Sequence, residues 1–541
     1  MDATSLSFEL FAICVKVYKL LLEASGMPKM FRYLHVRLRM ERDKLVDWGV
    51  LVNLSEDERT LSSGLQLNRH MVNDTLQDDA KRIKPEDVVV TSSSTGALLQ
   101  KKAESFIEKT RRFPGRVRWA SLDQKDFEAA LSRLTALNES MSYFFERHQR
   151  ERHLQMQENS FMGILQVNNK LDDLIALMAS LGNMGHDKHL LQLTRLKALN
   201  VAVETGQSGV LEIPSKGDTL LSISELSLIQ EEEEPEELPD RSAGRYQQTS
   251  VWIEWKYYEV IRGEHEAVPI YVADRIPKLA RLLRDENKPK ECRIPRCLGY
   301  VHDKDNDRYG FVFPNLADQP AGGLPLSLHD LLLSIPKPSL TWRLAAARAI
   351  ATSLWYLHAA NWLHKGLRSE NILFERSPNP GTPSTADLFL AGFEYARPAD
   401  PNEATETPSD NRLHDLYRHP STQFDIPRDG RRGFKKVYDI YSLGVVLCEI
   451  GMWRPIHAIL GIRLEEGIRS AAVKGAKATL VEAETLQALE AEVGTIFAAA
   501  VQSCLTGDFV PDNEGGSAGL DAQLQIGFGD RVIRKLDSIL V

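Results

Sequence analysis

The chain has 541 residues, room for about three domains at roughly 100–200 residues each. With 43% hydrophobic and 26% charged residues, it can build packed cores, which excludes a wholly disordered or fibrous chain. The net charge of −9 divides into +3 over residues 1–200, −8 over 201–245 and −4 over 246–541, a balance that points to no nucleic-acid partner.

The chain opens on an apolar stretch, Leu6 to Leu22, whose only charges are Glu9, Lys16 and Lys19. No small-residue cleavage site follows, so it does not read as a signal peptide. No stretch of the chain reaches 18 uncharged apolar residues, so no conventional transmembrane helix is expected. Apolar stripes at steps of three, four or seven come next. Phe31, Leu34, Leu38, Leu45 and Trp48 form one; Phe127, Leu131, Leu134, Leu137, Met141 and Phe144 another; Ile164, Val167, Leu171, Leu174, Met178 and Leu181 a third. Such spacing gives a helix one apolar face. A lone apolar face is not stable in water, so residues 1–200 are expected to form a bundle of about four to six helices, the last serving as a brace leading away from it.

Within this half, Lys101, Lys102, Lys109, Arg111, Arg112, Arg116 and Arg118 face only Glu104 and Glu108, with Phe106, Phe113 and Trp119 interleaved. The stretch suits an anionic lipid surface, at about 1 kcal/mol per basic residue, or else a solvated loop, the commoner fate of charge runs. His186 and His189 lack a nearby third ligand, so no metal site is expected. Residues 201–245 contain Glu231-Glu232-Glu233-Glu234-Pro235-Glu236-Glu237. Like charges with proline resist packing, and an acidic linker is expected there.

In the C-terminal half, whose main domain is expected over residues 246–541, the texture changes. Leu221–Ile229, Val251–Lys256 and Tyr309–Phe313 alternate as short strands do, and Leu344, Ala347, Leu354 and Leu357 mark a helix. Ile440 to Ile450 is almost wholly apolar, as a deeply buried helix is. A small sheet lobe followed by a helical lobe gives a bilobal α+β domain, and the chain as a whole reads as multidomain. Five scattered cysteines, Cys14, Cys292, Cys297, Cys448 and Cys504, argue for a reducing compartment, hence a cytoplasmic location, and against a disulfide framework.

Two resemblances follow. Leu38-Arg39-Met40-Glu41-Arg42-Asp43-Lys44-Leu45-Val46-Asp47-Trp48-Gly49 resembles the second helix of the fungal HeLo domain, a family linked to prion inhibition and propagation; Leu65-Gln66-Leu67-Asn68-Arg69 fits its next helix, and Leu6 to Leu22 its first. The resemblance implies a helical bundle of fungal incompatibility and cell-death proteins. In some of these the first helix permeabilises membranes.

The second half is similar to protein kinases. His364-Lys365-Gly366-Leu367-Arg368-Ser369-Glu370-Asn371 resembles the catalytic loop, Phe389-Leu390-Ala391-Gly392-Phe393-Glu394 the metal-binding segment, Tyr417-Arg418-His419-Pro420 the end of the activation segment, and Asp439-Ile440-Tyr441-Ser442-Leu443-Gly444 the helix that anchors the loop. Kinase chemistry needs one carboxylate to orient the substrate hydroxyl and another to hold magnesium. Those positions here are Gly366 and Gly392, so no catalytic residue is intact. His364, Phe393, Glu394 and Asp439 mark the fold. Lys256 matches the phosphate-contacting lysine, but the helix from Asp274 to Leu283 has no glutamate to pair with it, and a glycine-rich phosphate cover is missing. The resemblance therefore implies a pseudokinase that requires no cofactor and no metal. ATP without magnesium is the one ligand Lys256 and Asn371 could still hold.

The layout, with Gly-Phe-Glu in the metal triplet, resembles the mixed lineage kinase domain-like effector of animal necroptosis. It implies a pseudokinase that restrains a bundle until an upstream kinase or receptor releases it. The bundle would then self-associate at an anionic membrane, with recruitment to the plasma membrane, in cell death or heterokaryon incompatibility. Thr405, Thr407 and Ser409 lie where an activation segment is phosphorylated. Two other readings stay open: a weakly active ATP-binding serine/threonine kinase, and a non-enzymatic signalling scaffold.

Overall fold

A computed structural model describes residues 32–51, 128, 132, 135, 157–158, 160–184, 188–207, 219–229, 239–260, 268–315, 323–376, 382–399, 410–426, 433–509 and 517–539. The stretches expected at Leu6–Leu22, Leu65–Arg69, Lys101–Arg118 and Glu231–Glu237, together with His186, Thr405, Thr407 and Ser409, lie outside these residues. The chain forms two compact units, Met1–Ile164 with Asn168–Lys188, and Leu165–Val167 with His189–Val541.

In the first unit, helix α1 (Arg32–Leu51) packs on helix α2 (Leu171–Met184). The expected stripes are what they bury: Leu34, Leu38 and Leu45 on α1, and Leu171, Leu174 and Leu181 on α2. Each such leucine contributes about 1.5–3 kcal/mol. The stripe from Ile164 to Leu181 was expected to be one helix. It is broken at 168–170, and Val167 is 36% exposed. The cause is local: the Asn168 side chain donates to the Ile164 carbonyl at 2.7 Å, and such back-bonding competes with the helical ladder.

The second unit opens on α3 (Lys188–Thr205), which it claims from His189 onward. The expected boundary at residue 200 thus falls inside a helix. Five strands follow: β1 (Leu226–Leu228), β2 (Arg241–Tyr246), β3 (Thr249–Tyr257), then, after helix α4 (Ile270–Arg284), β4 (Gly299–Asp303) and β5 (Arg308–Pro314). They form one antiparallel sheet in the order β1-β2-β3-β5-β4. Val251, Ile253 and Trp255 of β3 point to one face, where they meet Val301 and Val312. The period of two puts Trp252, Glu254 and Lys256 on the other. The strand expected at Leu221–Ile229 is β1, so the sheet begins ahead of residue 246, within the span expected as an acidic linker.

The helical part is built around α6 and α7. Strand β6 (Leu326–Ser327) runs into helix α5 (Leu328–Ser334), whose capping box joins Ser327 and Asp330. Helix α6 (Leu340–Ala359) leads to β7 (Trp362–Leu363), the loop 364–371, β8 (Ile372–Phe374), β9 (Leu388–Leu390) and β10 (Arg397–Pro398). The expected apolar helix is α7 (Lys436–Met452), buried along almost its whole length. The longer helices that complete the unit are α8 (Ser470–Val481), α9 (Ala483–Val493), α10 (Thr495–Thr506) and α11 (Ser517–Phe528). A helical N-terminal region is thus followed by an α+β region.

Candidate functional site

The frame of the kinase-like loop is complete. Asp439, in the first turn of α7, accepts from the backbone N–H groups of His364 and Lys365 at 2.8 Å each, and pairs with His358 Nε2 at 3.3 Å. A carboxylate taking several donors at a helix N-terminus is held as an anchor. His364 is fully buried, and burial lowers its pKa to about 4, so its ring is neutral. Its Nδ1 accepts from Gly366 N at 3.3 Å. Phe393 is also buried, with its ring 4.8 Å from His364 and 5.7 Å from Trp362. These residues shape the loop.

The two glycines lie side by side. A Cβ built on Gly366 would stand 3.0 Å from the Gly392 carbonyl. Gly392 has φ of 81°, in the left-handed region, and a Cβ there would fall 2.1–2.8 Å from the Asn371 side chain. The Asn371 amide therefore occupies the space that a metal-binding carboxylate would need. Its Nδ2 donates to the Gly366 carbonyl at 2.6 Å, and its Oδ1 accepts from Arg241 Nη2 at 2.5 Å.

Arg241 was assigned to the linker by sequence reasoning. It is the first residue of β2, and its guanidinium lies in the cleft. Nε and Nη2 both donate to Glu254 Oε1, at 3.0 and 2.9 Å, and Nη1 donates to the Glu370 carbonyl at 2.8 Å. Glu254 Oε1 also accepts from Gly392 N at 2.7 Å. One guanidinium thus ties the sheet to the loop across the site where magnesium would bridge phosphates to protein. Asp240 adds a second link, pairing with the buried Arg368 at 2.9 Å.

Lys256 is buried, with Nζ 3.6 Å above the Tyr395 ring. The acid at the start of its candidate partner helix, Asp274, pairs with Lys278 at 2.7 Å instead. Glu394 follows Gly392 in a 3-10 turn and is partly buried. Burial, and then the nearby Glu254, raise its pKa, while Arg368 opposes them. Burial alone would lower the pKa of Arg368, but Glu394, Glu370 and Asp240 together raise it. Glu370 lies 3.9 Å from His329 and 3.8 Å from Arg368.

The residues do not fit a magnesium–nucleotide complex. Both carboxylates are missing, Asn371 fills the space beside Gly392, and Arg241 takes Asn371 Oδ1 and Glu254 Oε1. Among the described residues no cluster of three His, Cys, Asp or Glu could hold a metal. The acidic run adds to this. Because β1 pairs with β2, with Leu226 opposite Tyr246 and Leu228 opposite Gly244, Glu231–Glu237 belongs to the connection between two strands of the sheet, not to a linker ahead of it. A kinase carries its glycine-rich phosphate cover between its first two strands. A separate cavity of about 510 Å³, lined in part by Trp252, Phe389, Arg293 and Arg376, includes none of Lys256, Gly366, Asn371 or Gly392.

Of the sequence-predicted residues, the fold brings His364, Gly366, Asn371, Gly392, Phe393 and Asp439 together. Arg241, Glu254 and Asp240 were missed. Their signal was present: Glu254 shares the phase of Lys256 on a strand, so a buried acid on the cleft face required a cation.

Residues 2–177 match the family model of HeLo, described as prion-inhibition and propagation. This region is a HeLo domain. The chain is also similar to the mitogen-activated protein kinase mpk-1 of Caenorhabditis elegans, 30% identical over 108 residues. The similarity covers 20% of this chain and 21% of that protein, so the chain spans about a fifth of the length of the relative it matches. The α+β region after the HeLo domain is kinase-like in its sheet and helical lobe, and among the described residues no helix is long and apolar enough to cross a membrane.

Proposed function

We propose that the chain is a signalling pseudokinase that controls its HeLo domain, a membrane-targeting effector of fungal regulated cell death or incompatibility. One observation carries the pseudokinase reading: Asn371 fills the space beside Gly392, and Arg241 takes Asn371 Oδ1, an acceptor that a metal would use. Phosphoryl transfer depends on positioning and electrostatics, so losing the base and a metal ligand removes orders of magnitude of rate. The kinase-like region then serves as a switch that an upstream kinase or receptor acts on. The HeLo domain self-associates at an anionic membrane, drawing a cytoplasmic chain to the plasma membrane. The basic stretch Lys101–Arg118 is its contact with lipid headgroups.

Two measurements test this reading. Wild-type protein with magnesium and labelled ATP transfers no label and shows no thermal shift. Transfer that disappears in Lys256→Ala would instead make the chain a weakly active kinase. Residues 1–187, folded by circular dichroism, release dye from anionic vesicles, and the same fragment lacking residues 1–22 does not. A folded fragment that binds partner proteins and leaks nothing would make the chain a scaffold.

A further inference from the structure

The cleft that fails to fit magnesium and nucleotide is well made for something else. Its acceptors are Glu254 Oε1, Asn371 Oδ1 and the Glu370 carbonyl, and all three receive N–H groups of one planar cation. These acceptors come from a sheet strand and from the loop, so they converge only in the folded unit. Glu254 is 2% exposed, and its second oxygen, Oε2, is buried without a hydrogen-bond partner. A buried carboxylate oxygen without a donor is costly, and here it lies at the site where a cation already sits. Around it, Glu254, Glu370, Glu394 and Asp240 outnumber Arg241, Arg368 and Lys256. Burial and the proximity of Glu254 raise the pKa of Glu394, as expected where negative charge is under-compensated.

We propose that this cleft is a guanidinium site, filled at rest by Arg241 and able to take the arginine side chain of a basic peptide in its place. The class of ligand follows from shape. A guanidinium offers five N–H donors in one plane, and a fork matched to carboxylate. An ammonium cannot reach three acceptors disposed on a sheet strand and a loop with one planar group. A magnesium-bound triphosphate would still bring net negative charge toward four carboxylates. The inference rests on the reading of the cleft as a degenerate nucleotide site and names what that site now binds.

The test is chemical rescue of the full chain. Arg241→Ala empties the site, and its melting temperature is read with millimolar methylguanidinium, methylammonium or magnesium-ATP. Methylguanidinium is expected to raise the melting temperature of Arg241→Ala by about 2–4 °C, as a ligand near ten times its Kd does for a domain of this size. Wild type, whose site is filled, and the double variant Arg241→Ala, Glu254→Gln should show no such gain, and methylammonium should have no effect. If Arg241→Ala does not fold, Arg241→Lys keeps the charge without the fork and takes its place. Equal shifts in wild type and variant, or a folded variant that ignores methylguanidinium, would overturn the guanidinium site and leave the catalytic degeneracy standing. Stabilisation of the variant by magnesium-ATP and not by methylguanidinium would overturn both.

Discussion

At Gly392 the backbone and a neighbouring side chain act together against the aspartate that a kinase would carry. The φ of 81° costs any L side chain about 1–3 kcal/mol, and a Cβ would overlap the Asn371 amide. Gly392→Asp is therefore expected to lose about 2–4 kcal/mol in urea unfolding, and to gain no stabilisation from magnesium and ATP. A variant as stable as wild type that binds the metal would show that Asn371 yields its place freely. A second residue, Lys197 on α3, is wholly buried and donates to the Leu165 carbonyl at 2.5 Å. Burial, and then the charge of Lys436, lower its pKa from 10.5 to about 7. The folded chain gives up that proton more readily than the unfolded one, so between about pH 7 and pH 10 the unfolded chain binds more protons and stability rises with pH. Below about 7 both forms are protonated and this contribution levels off. Lys197→Met should flatten the rise of the urea midpoint across that window, and an unchanged slope would assign it to Lys436, whose pKa burial lowers to about 8.

At the scale of the element, α3 is the helix whose place the sequence did not disclose. Leu190, Leu193, Leu196, Leu199 and Val203 are buried along it, and nothing in their spacing says which unit buries them. What decides it is polar and distant in sequence. Glu204 accepts from Arg275 at 2.5 Å and Lys278 at 3.1 Å, both on α4, and Arg195 pairs with Asp285 at 2.9 Å. Asn200 donates to the carbonyls of Ala360 and Asn361, beyond α6. Gln166 donates to the carbonyls of His358 and Ala359 at 2.9 Å and accepts from Lys436. One helix thus engages the sheet-side helix and the helical core together. Removing Glu204 and Asn200 together should cost about 1–3 kcal/mol and speed amide exchange in α3 while leaving α7 protected. Unchanged exchange in α3 would mean that its apolar burial alone holds it. The kinase-like frame was far more legible, because His364, Phe393 and Asp439 act within short motifs of fixed spacing. The plug was not, because Arg241 and Glu254 are thirteen residues apart and meet only through the β2–β3 register.

At the scale of the whole molecule, α3 is also where chain connectivity couples the units. It begins at Lys188, four residues after α2 ends at Met184 in the first unit, and from His189 it belongs to the second. A helix held at several points restrains whatever is joined to its start, and freeing it would release roughly 20 residues of tether, a reach of about 30 Å as a helix and more if unravelled. On the proposed function, release of α3 is therefore a step toward membrane engagement, and it needs no nucleotide. Full-length Glu204→Ala, Asn200→Ala should release dye from anionic vesicles faster than wild type at equal concentration. The gain should shrink with added salt if basic residues make the lipid contact, since the attraction falls off within a Debye length. Neutral vesicles should stay intact throughout. Leakage no faster than wild type, from a variant whose α3 exchanges faster, would separate the two effects: α3 would be loosened without freeing the HeLo domain, and the restraint would have to lie elsewhere in the chain.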